Sequence, residues 1–366
     1  MKTIRLKIHH IAFTIICTIL ITFSCSKGQD NYSINSKTAQ DTSERLSITF
    51  ILGEDKEWDN PYYAQATNYY THNSEGKTEY VITTCRSLVE VREFLTNNKP
   101  LNSEPWGIIN LVSHGNQWLG LSVRVTPESK RASTERISQY IEDGTLSALP
   151  NSVIDENTGV FVHGCGVGNN TELLLLLAKA FRNADTIPQV NASRYFEYYT
   201  SVRYKGAIVR SEKYEARAWT VNYKMGYKPS DLILQNKLQT KYPDAGMKWQ
   251  DALSRQEPRW EGDSYHYTFE VPVKWVIKYP DKASIPDVST NAKKLQWIKN
   301  QTEVMEDLEK IEIEPEKFNW WFRTVNVRDE NGVLCPAIWV KGYCTVLCVI
   351  QPIMEENKTE LITQNL

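Results

Sequence analysis

The sequence GVFVHGCGVGNN, residues 159–170, is an apolar run that stops at a histidine, two glycines and a cysteine. Farther upstream, GIINLVSHGN at 107–116 has the same form, a strand-like run that ends in His114 and Gly115. Strands that are buried on both faces of a parallel sheet are near-continuous apolar runs. Functional residues of such sheets collect beyond the carboxyl ends of the strands. We therefore expect His114 and Cys165 at one edge of a sheet, on neighbouring strands.

Short apolar runs alternate with helical stretches through the first half of the chain. The predicted strands are LSITFIL (46–52), EYVITT (79–84), WGIINLVS (106–113) and GVFVHG (159–164). Apolar spacing near 3.6 residues predicts helices in SLVEVREFLTNN and in TELLLLLAKAFRN at 171–183, with Thr171 or Asn170 as the N-cap of the second. This alternation predicts an α/β fold with a mostly parallel sheet.

The second half has a weaker pattern that favours antiparallel strands. Residues 195–210 predict a further strand, and 265–280 alternate like a half-exposed strand in which Pro272 indicates a sheet edge. A single amphipathic helix is expected at 292–311, and a hairpin at 320–350 that turns at Asn331-Gly332. We therefore divide the chain into a domain at 46–264 and a partly β accessory region at 265–366.

The N-terminal residues have the pattern of an export signal. Basic residues precede the apolar stretch 11–23, which is too short to span a bilayer comfortably, and Ser24-Cys25 follows. This junction resembles a bacterial lipobox, in which the cysteine receives lipid and becomes the mature N-terminus. A plain signal peptide and an uncleaved anchor are the alternatives. With 1–24 as the signal and the polar 25–45 as a disordered tether, we expect a protein of the bacterial cell envelope, lipid-anchored or secreted.

The net charge and the number of cysteines give further information on the class of protein. Without residues 1–24 the chain keeps 39 basic and 44 acidic residues, a net charge of −5 that gives no indication of nucleic-acid binding. An odd number of cysteines in an exported protein leaves at least one thiol unpaired. Cys344 could form a disulfide with Cys335 or with Cys348, and we expect Cys165 to be the free thiol. The remaining cysteine is Cys85.

A cysteine nucleophile needs a base or a cationic partner that raises its thiolate fraction, and imidazole is the usual one. His114 is the candidate base for Cys165. A helix that begins near Thr171 would direct its positive end toward the cysteine and favour the thiolate further. Gly115 and Gly166 leave backbone N–H groups uncovered, as the stabilisation of an oxyanion requires.

The order of these residues separates families of hydrolases. An α/β-hydrolase nucleophile elbow would need glycines where His163 and Val167 stand, and its histidine would follow the nucleophile. Papain-like enzymes likewise place the cysteine first. Here His114 precedes Cys165 by 51 positions, which is the caspase arrangement.

INLVSHGN and VFVHGCG resemble the caspase-like clan of cysteine peptidases, which includes the clostripain, gingipain and legumain types, and the resemblance covers residues 46–210. It implies a caspase–hemoglobinase α/β sandwich and a His–Cys dyad that hydrolyses peptide bonds. Cys165 would be the nucleophile, His114 the acid or base toward the leaving group, and the Gly115 and Cys165 amides the oxyanion hole. The chain lacks the caspase signature Gln-Ala-Cys-Arg-Gly, so the resemblance is to the clan and not to caspases proper.

The same resemblance implies where the substrate pocket lies. The loop after the first strand and the residue two before the nucleophile help to line it, which here are GEDKEWD (53–59) and His163. Glu54, Asp55 and Asp59 would suit Arg or Lys at P1, although His163 has simple packing as its other interpretation. No cofactor is implied, with calcium left open as an activator. A metal site of His114, His163 and Cys165 is the alternative, without a ligand-spaced cluster to support it.

Two functions from different classes remain. The first is a cysteine endopeptidase that acts on protein or peptide substrates through an acyl-thioenzyme. The second is a non-catalytic surface lipoprotein that uses a caspase-like scaffold for binding, with Cys165 as a buried structural residue. An unrelated thiol hydrolase or acyltransferase is a further alternative. They differ in whether Cys165 must be a reactive thiol close to His114.

Overall fold

A computed structural model of the chain describes residues 45–56, 61–72, 78–98, 104–258, 262–329, 331–353 and 361–363. Residues Asp41–Leu366 form one compact unit. The predicted signal at 1–24, nearly all of the tether, the lipidation site Cys25 and the pocket residue Asp59 lie outside the described residues. Within the described ranges, no helix is both long and apolar enough to cross a membrane.

The described residues form strands and helices that alternate through the first half of the chain. The strands of this half are β1 (Ser47–Ile51), β2 (Tyr80–Ile82), β3 (Ile108–Val112), β4 (Gly115–Asn116), β5 (Gly120–Arg124), β6 (Arg131–Ala132), β7 (Gly159–His163) and β8 (Gln189–Ser193). The later strands are β9 (Phe196–Tyr204), β10 (Ala207–Lys224), β11 (Tyr265–Lys278), β12 (Asn319–Arg328), β13 (Leu334–Ile353) and β14 (Leu361–Thr363). The helices are α1 (Tyr62–His72), α2 (Leu88–Asn97), α3 (Thr134–Glu142), α4 (Thr171–Ala180), α5 (Asp231–Lys241), α6 (Trp249–Leu253), α7 (Asn291–Lys299) and α8 (Thr302–Lys310).

A six-stranded sheet forms the centre of the first half, in the order β14-β8-β7-β3-β1-β2. All pairs among β8, β7, β3, β1 and β2 are parallel. The edge strand β14 is antiparallel to β8. The α/β class and the mostly parallel sheet are therefore confirmed. Four of these strands coincide with the predicted apolar runs, whereas the sequence analysis did not predict β8 (QVNAS) or β14. Polar residues interrupt β8, so it lacks the continuous apolar run on which the prediction relied.

The two faces of this sheet bury different kinds of side chain, because successive residues of a strand point to opposite faces. One face carries Ile109 and Leu111 and packs in a large apolar core with helices α2, α3 and α4. The opposite face carries Asn110 and Val112 and is covered by α1 and the start of β9. The candidate histidines and their neighbours belong to this second, more polar and aromatic side.

The second sheet is antiparallel and contains the longest strands. Its order is β11-β13-β10-β9, and β12 pairs with the first half of β13. Pro272 lies in the edge strand β11, and β12 and β13 pair from Arg328 opposite Leu334, so the predicted edge and the hairpin at Asn331-Gly332 are confirmed. The sheet combines β9 and β10 with strands from beyond residue 264. The domain division at that residue stays a prediction.

Two expectations for the second half are wrong. The single helix over 292–311 is two helices, because Gln301 is extended (φ −96°, ψ 104°) and α8 begins in a new direction. The proposed disulfides are not formed, and all five described cysteines are free. Cys335, Cys344 and Cys348 all lie on β13, where an extended strand rises about 3.4 Å per residue. Even the closer pair, Cys344 and Cys348, is then about 14 Å apart, beyond the limit of about 7 Å between bridged Cα atoms.

Candidate active site

The pairing of β3 with β7 places the two sequence motifs side by side. Val112 is opposite His163 in the parallel register, and Ser113 N–H continues the ladder by donating to the His163 carbonyl oxygen at 3.0 Å. His114 and Cys165 each follow two residues after that last pair. The structure therefore brings both residues to the carboxyl ends of adjacent strands, as the sequence predicts.

Glycines allow the chain around Cys165 to turn closely against its neighbour. A Cβ atom at Gly164 would lie 3.0 Å from the Ser113 carbonyl oxygen and 2.9 Å from a methyl group of Val167. Gly166 has a φ of +66°, which favours glycine over other residues. The apolar strand can therefore end abruptly, and the chain turns closely past Ser113 just before the cysteine.

The helix α4 begins shortly after this turn. Asn170 is its N-cap, accepting a hydrogen bond from Leu173 N–H at 2.9 Å, and its amide donates to the Gln117 carbonyl oxygen at 2.7 Å. Asn170 thereby ties the start of α4 to the hairpin that follows His114. One of the two predicted N-caps is confirmed, and the helix ends at Ala180, earlier than expected.

The Cys165 side chain is half-buried among aromatic residues. Its thiol lies close enough to the hydroxyl groups of the tyrosines around it to raise their pKa values; these residues are Tyr62, Tyr198, Tyr265 and Tyr267. Burial raises the pKa of the thiol to about 12, although the Glu197 N–H donates to its sulfur and opposes the shift. The thiol is therefore neutral in this conformation.

His114 is held by the first turn of α1. Its imidazole stacks on the Tyr62 ring, with centroids 4.4 Å apart and planes at 27°, and meets the edge of the Tyr63 ring at 4.8 Å. Its backbone N–H donates to the Tyr63 hydroxyl at 3.0 Å. Burial lowers the pKa of His114, and the negative charge of Asp55 opposes this shift. His114 is therefore a neutral imidazole at neutral pH.

The two candidate catalytic side chains share an edge of the sheet without interacting. Among the described residues, no hydrogen bond joins His114 to Cys165, and neither shifts the pKa of the other. A general base must come within about 2.6–3.2 Å of the proton that it removes, although such contacts are often longer without substrate. The backbone positions of the predicted dyad are in place, and the contact between its side chains is not.

The backbone N–H of Gly115 is not used in the hairpin ladder. Ser122 N–H donates to the His114 carbonyl oxygen at 2.6 Å, which makes these two residues a hydrogen-bonded pair of the hairpin. In an antiparallel ladder such pairs alternate with non-hydrogen-bonded ones, so Gly115, opposite Leu121, directs its N–H away from β5. The Cys165 N–H lies near its own sulfur.

His163 belongs to a buried polar network. Its Nδ1 lies 3.2 Å from Glu197 Oε1 and its Nε2 lies 3.1 Å from Asn110 Oδ1, while Lys213 Nζ lies 3.1 Å from the same Glu197 oxygen. Burial alone would raise the pKa of Glu197, but Lys213 and then His163 more than offset it, so the pKa falls to about 2. Burial lowers the pKa of His163. Both ring nitrogens are engaged, so a substrate would meet them only by displacing Glu197 or Asn110.

The acidic residues of the predicted P1 pocket have partners within the protein. Glu54 forms an exposed ion pair with Arg86 at 2.5 Å. The Asp55 carboxylate accepts hydrogen bonds from the Tyr63 and Ala64 N–H groups, both at 2.9 Å, and thereby caps the start of α1. A cationic P1 side chain would have to compete with these contacts.

Several residues that shape the site were missed by the sequence analysis. Glu197 and Lys213 lie on β9 and β10, and Tyr62 and Tyr63 lie on α1. Asn110 inside the apolar run GIINLVS and Glu197 inside the aromatic run YFEYYT carried a usable signal, since a buried polar residue needs a partner. Nothing in the local sequence distinguished Tyr62 from the other tyrosines.

The described residues contain no group of three or more His, Cys, Asp or Glu side chains placed to hold a metal ion. His114, His163 and Cys165 have instead the separate surroundings described above. In comparisons with known proteins, no family model and no curated protein sequence matches this chain.

Proposed function

We propose that this chain is a cysteine endopeptidase similar to the caspase-like clan, with Cys165 as nucleophile and His114 as acid and base. The observation that carries the proposal is the register of β3 and β7, in which His114 and Cys165 follow opposite residues at the carboxyl ends of adjacent parallel strands. A mostly parallel sheet in an α/β fold is compatible with that clan. Active sites of open parallel sheets form at this edge.

The proposed reaction needs few groups. The Cys165 thiolate attacks the carbonyl carbon of the scissile peptide bond, and the Gly115 and Cys165 N–H groups stabilise the oxyanion that forms. The C–N bond then breaks, and the leaving amine takes a proton from His114. An acyl-thioenzyme results, and a water molecule that gives its proton to His114 hydrolyses it. Cysteine and histidine return to their starting states.

The resting conformation requires a change before this reaction. Because the thiol pKa is about 12 and burial lowers the pKa of His114, the proton stays on sulfur. A thiolate becomes accessible near neutral pH when an imidazole accepts the proton and stays beside the sulfur as a cation. The peptidase proposal therefore includes an approach of the His114 ring to Cys165.

A non-catalytic surface protein is the second candidate. The observation in its favour is the neutral, aromatic surroundings of Cys165, which would suit a structural cysteine as well as a resting nucleophile. In that case the sheet edge would serve only for packing or binding. The two candidates differ in whether the Cys165 thiol reacts in a way that depends on His114.

The location is a separate part of the proposal. The sequence up to Cys25 supports export and lipid attachment at Cys25, and peptide or protein substrates would then meet the enzyme in the cell envelope. Detergent phase partition of the wild type and of Cys25→Ser tests this. We expect the wild type in the detergent phase and the variant in the aqueous phase. The same partition of both proteins would contradict lipid attachment at Cys25.

The activity is tested by labelling with peptidyl acyloxymethyl ketones that carry Arg, Lys, Asp or Asn at P1, followed by mass mapping. We expect label on Cys165 in the wild type and none at this position in Cys165→Ala. The label should be greatly slowed in His114→Ala. The preferred P1 residue would show whether the pocket is acidic.

The matched controls use residues outside the site. His72→Ala removes an exposed histidine of α1 and should label like the wild type. Cys335 is a partly exposed thiol on β13 and reports unspecific alkylation within the same sample. If Cys165 takes no label from any probe, with calcium added and after limited proteolysis, the peptidase proposal fails and the binding scaffold remains.

A further inference from the structure

Tyr62 stacks on one member of the proposed dyad and lies near the other. Its ring lies face to face with the His114 imidazole, and its hydroxyl donates to the His163 carbonyl oxygen at 3.4 Å, beside the Cys165 thiol. The edge of the ring packs on Tyr199, with centroids 5.4 Å apart. A rigid, fully buried phenol side chain therefore extends from the imidazole to the end of the cysteine strand.

Tyr62 cannot itself activate the thiol. Burial raises the pKa of Tyr62 well above its usual 10, and the adjacent Cys165 thiol raises it further. The hydroxyl therefore keeps its proton at neutral pH and offers no base to the sulfur. Its role, if Cys165 is a nucleophile, is a steric one toward the residue that can act as base.

The neighbouring Tyr63 has a different task. Its hydroxyl accepts the hydrogen bond from His114 N–H and lies 3.3 Å from the Ser122 hydroxyl, so it fixes the backbone at the end of β3. Of His114, Tyr62 contacts only the imidazole ring, which it stacks on, while the Tyr63 ring meets the same imidazole at 4.8 Å. Removing Tyr62 would therefore open the stacked face of the His114 ring, while the Tyr63 hydroxyl still holds the backbone in place.

We propose, on the basis of the proposed peptidase function, that Tyr62 is a positioning residue that holds the His114 ring away from Cys165 in the resting protein. Movement of the first turn of α1 removes the phenol ring from this place, and the imidazole then reaches the thiol. The planar peptide group of the substrate would occupy the space that the Tyr62 ring leaves. This turn is fastened by the Asp55 cap, two hydrogen bonds that water can replace.

The test measures the rate at which iodoacetamide alkylates Cys165, by peptide mapping, as a function of pH. In the wild type we expect a slow rate that rises only toward high pH. In Tyr62→Ala we expect the profile to move to lower pH by at least one unit, because the imidazole can take the thiol proton. Each unit corresponds to about a tenfold larger thiolate fraction near neutral pH. Adding His114→Ala to Tyr62→Ala should abolish this gain.

Tyr70→Ala is the matched control. Tyr70 is also a buried ring of α1 and also packs on Tyr199, with centroids 6.0 Å apart, but its ring lies against His163 and not against His114. It should leave a cavity of equal size without shifting the profile of Cys165. Tyr62→Phe keeps the stacked ring and should behave like the wild type. Should Tyr62→Ala fail to fold, Tyr62→Leu fills most of the space without a flat ring.

Two results would overturn the inference. Equal acceleration in Tyr62→Ala and Tyr70→Ala would mean general loosening of α1. A gain that survives His114→Ala would mean that Tyr62 merely covers the thiol.

The test also separates this inference from the proposed function. Suppose that peptide probes label wild-type Cys165 in a way that depends on His114, but that alkylation does not respond to the Tyr62 variants. This result would support the proposed peptidase and contradict the role proposed for Tyr62. The opposite result is a His114-dependent increase in the alkylation rate of Tyr62→Ala with no labelling by any peptide probe. It would support the positioning role of Tyr62 and contradict the proposed peptidase activity.

Discussion

His114 and His163 follow neighbouring strands of one sheet, but the protein holds them by different forces. His163 is fixed by directional contacts to Glu197 and Asn110 within a buried network that includes Lys213. His114 is held mainly by the Tyr62 and Tyr63 rings. A pair of stacked rings contributes about 0.5–1.5 kcal/mol, whereas a hydrogen bond to a charged group such as Glu197 contributes about 1.5–3 kcal/mol. Turning the His114 imidazole should therefore cost less free energy than turning that of His163.

The two histidines therefore have different surroundings, a charged network around His163 and an aromatic cluster around His114. The charged network adjoins the cysteine loop, because the Glu197 side chain contacts His163 and its backbone N–H acts on the Cys165 thiol. The aromatic cluster of Tyr62 and Tyr63 contacts the ring of His114, the proposed base. The predictions below test this comparison, beginning with the largest expected effect.

Glu197→Ala should cause the largest loss of stability. The substitution leaves the Lys213 ammonium buried without its partner and removes the acceptor of His163 Nδ1. We expect the free energy of unfolding, measured in urea, to fall by about 3–5 kcal/mol. Glu135→Ala, which breaks an exposed ion pair with Lys274, should cost at most about 1 kcal/mol. Equal small losses would show that the network does not hold His163 as described.

The same network should make stability depend on acid. Glu197 has a folded pKa of about 2 against an ordinary value of 4.5, so its contribution is complete above pH 4.5 and is lost as the pH falls toward 2. The shift corresponds to about 3 kcal/mol. Urea unfolding across this range should therefore show a steeper decline for the wild type than for Glu197→Gln. Parallel curves would contradict the depressed pKa.

Asp55→Ala tests the aromatic side of the comparison. It removes the acceptor for the Tyr63 and Ala64 N–H groups at the start of α1, and loss of such a cap costs about 1 kcal/mol. We expect faster hydrogen exchange at these two amides, with the rest of the sheet unchanged. Asp55→Asn keeps an acceptor oxygen and should show a smaller effect. Unchanged exchange in Asp55→Ala would mean that other contacts fasten the turn that carries Tyr62.

Glu54→Gln should have the smallest effect on stability. The ion pair of Glu54 with Arg86 is largely exposed, so water and salt screen it, and the free energy of unfolding should change by less than about 1 kcal/mol. A larger loss of stability would show that the loop containing Glu54 helps to hold α1 in place. Slower labelling by the P1 Arg probe alone would support the predicted acidic pocket.

The predicted parts of the fold are those with a strong local pattern. The runs at 106–113 and 159–164 are apolar for their whole length, and each forms a strand of the parallel sheet, β3 and β7. β8 was missed because its sequence is polar and short, and the helix at 292–311 was drawn through a break that no proline or glycine marks. Such elements form because their neighbours bury them.

The candidate site divides in the same way. The order of the motifs placed His114 and Cys165 at adjacent strand ends, and the register has both there. The disulfide expectation failed because it used the spacing of the cysteines along the chain and not the length of an extended strand. The protonation states of the site depend on burial and on Asp55, Glu197 and Lys213, which are far apart in the sequence.

The sequence by itself therefore determined the parallel sheet and the two residues at its edge, because each depends on residues close together in the chain. Only the tertiary structure decided that a tyrosine ring lies against the histidine, that burial keeps the thiol neutral, and that His163 is fixed by a charged network. Those properties come from desolvation and from contacts between residues far apart in sequence. They arise only when α1 and the second sheet close over the strand ends.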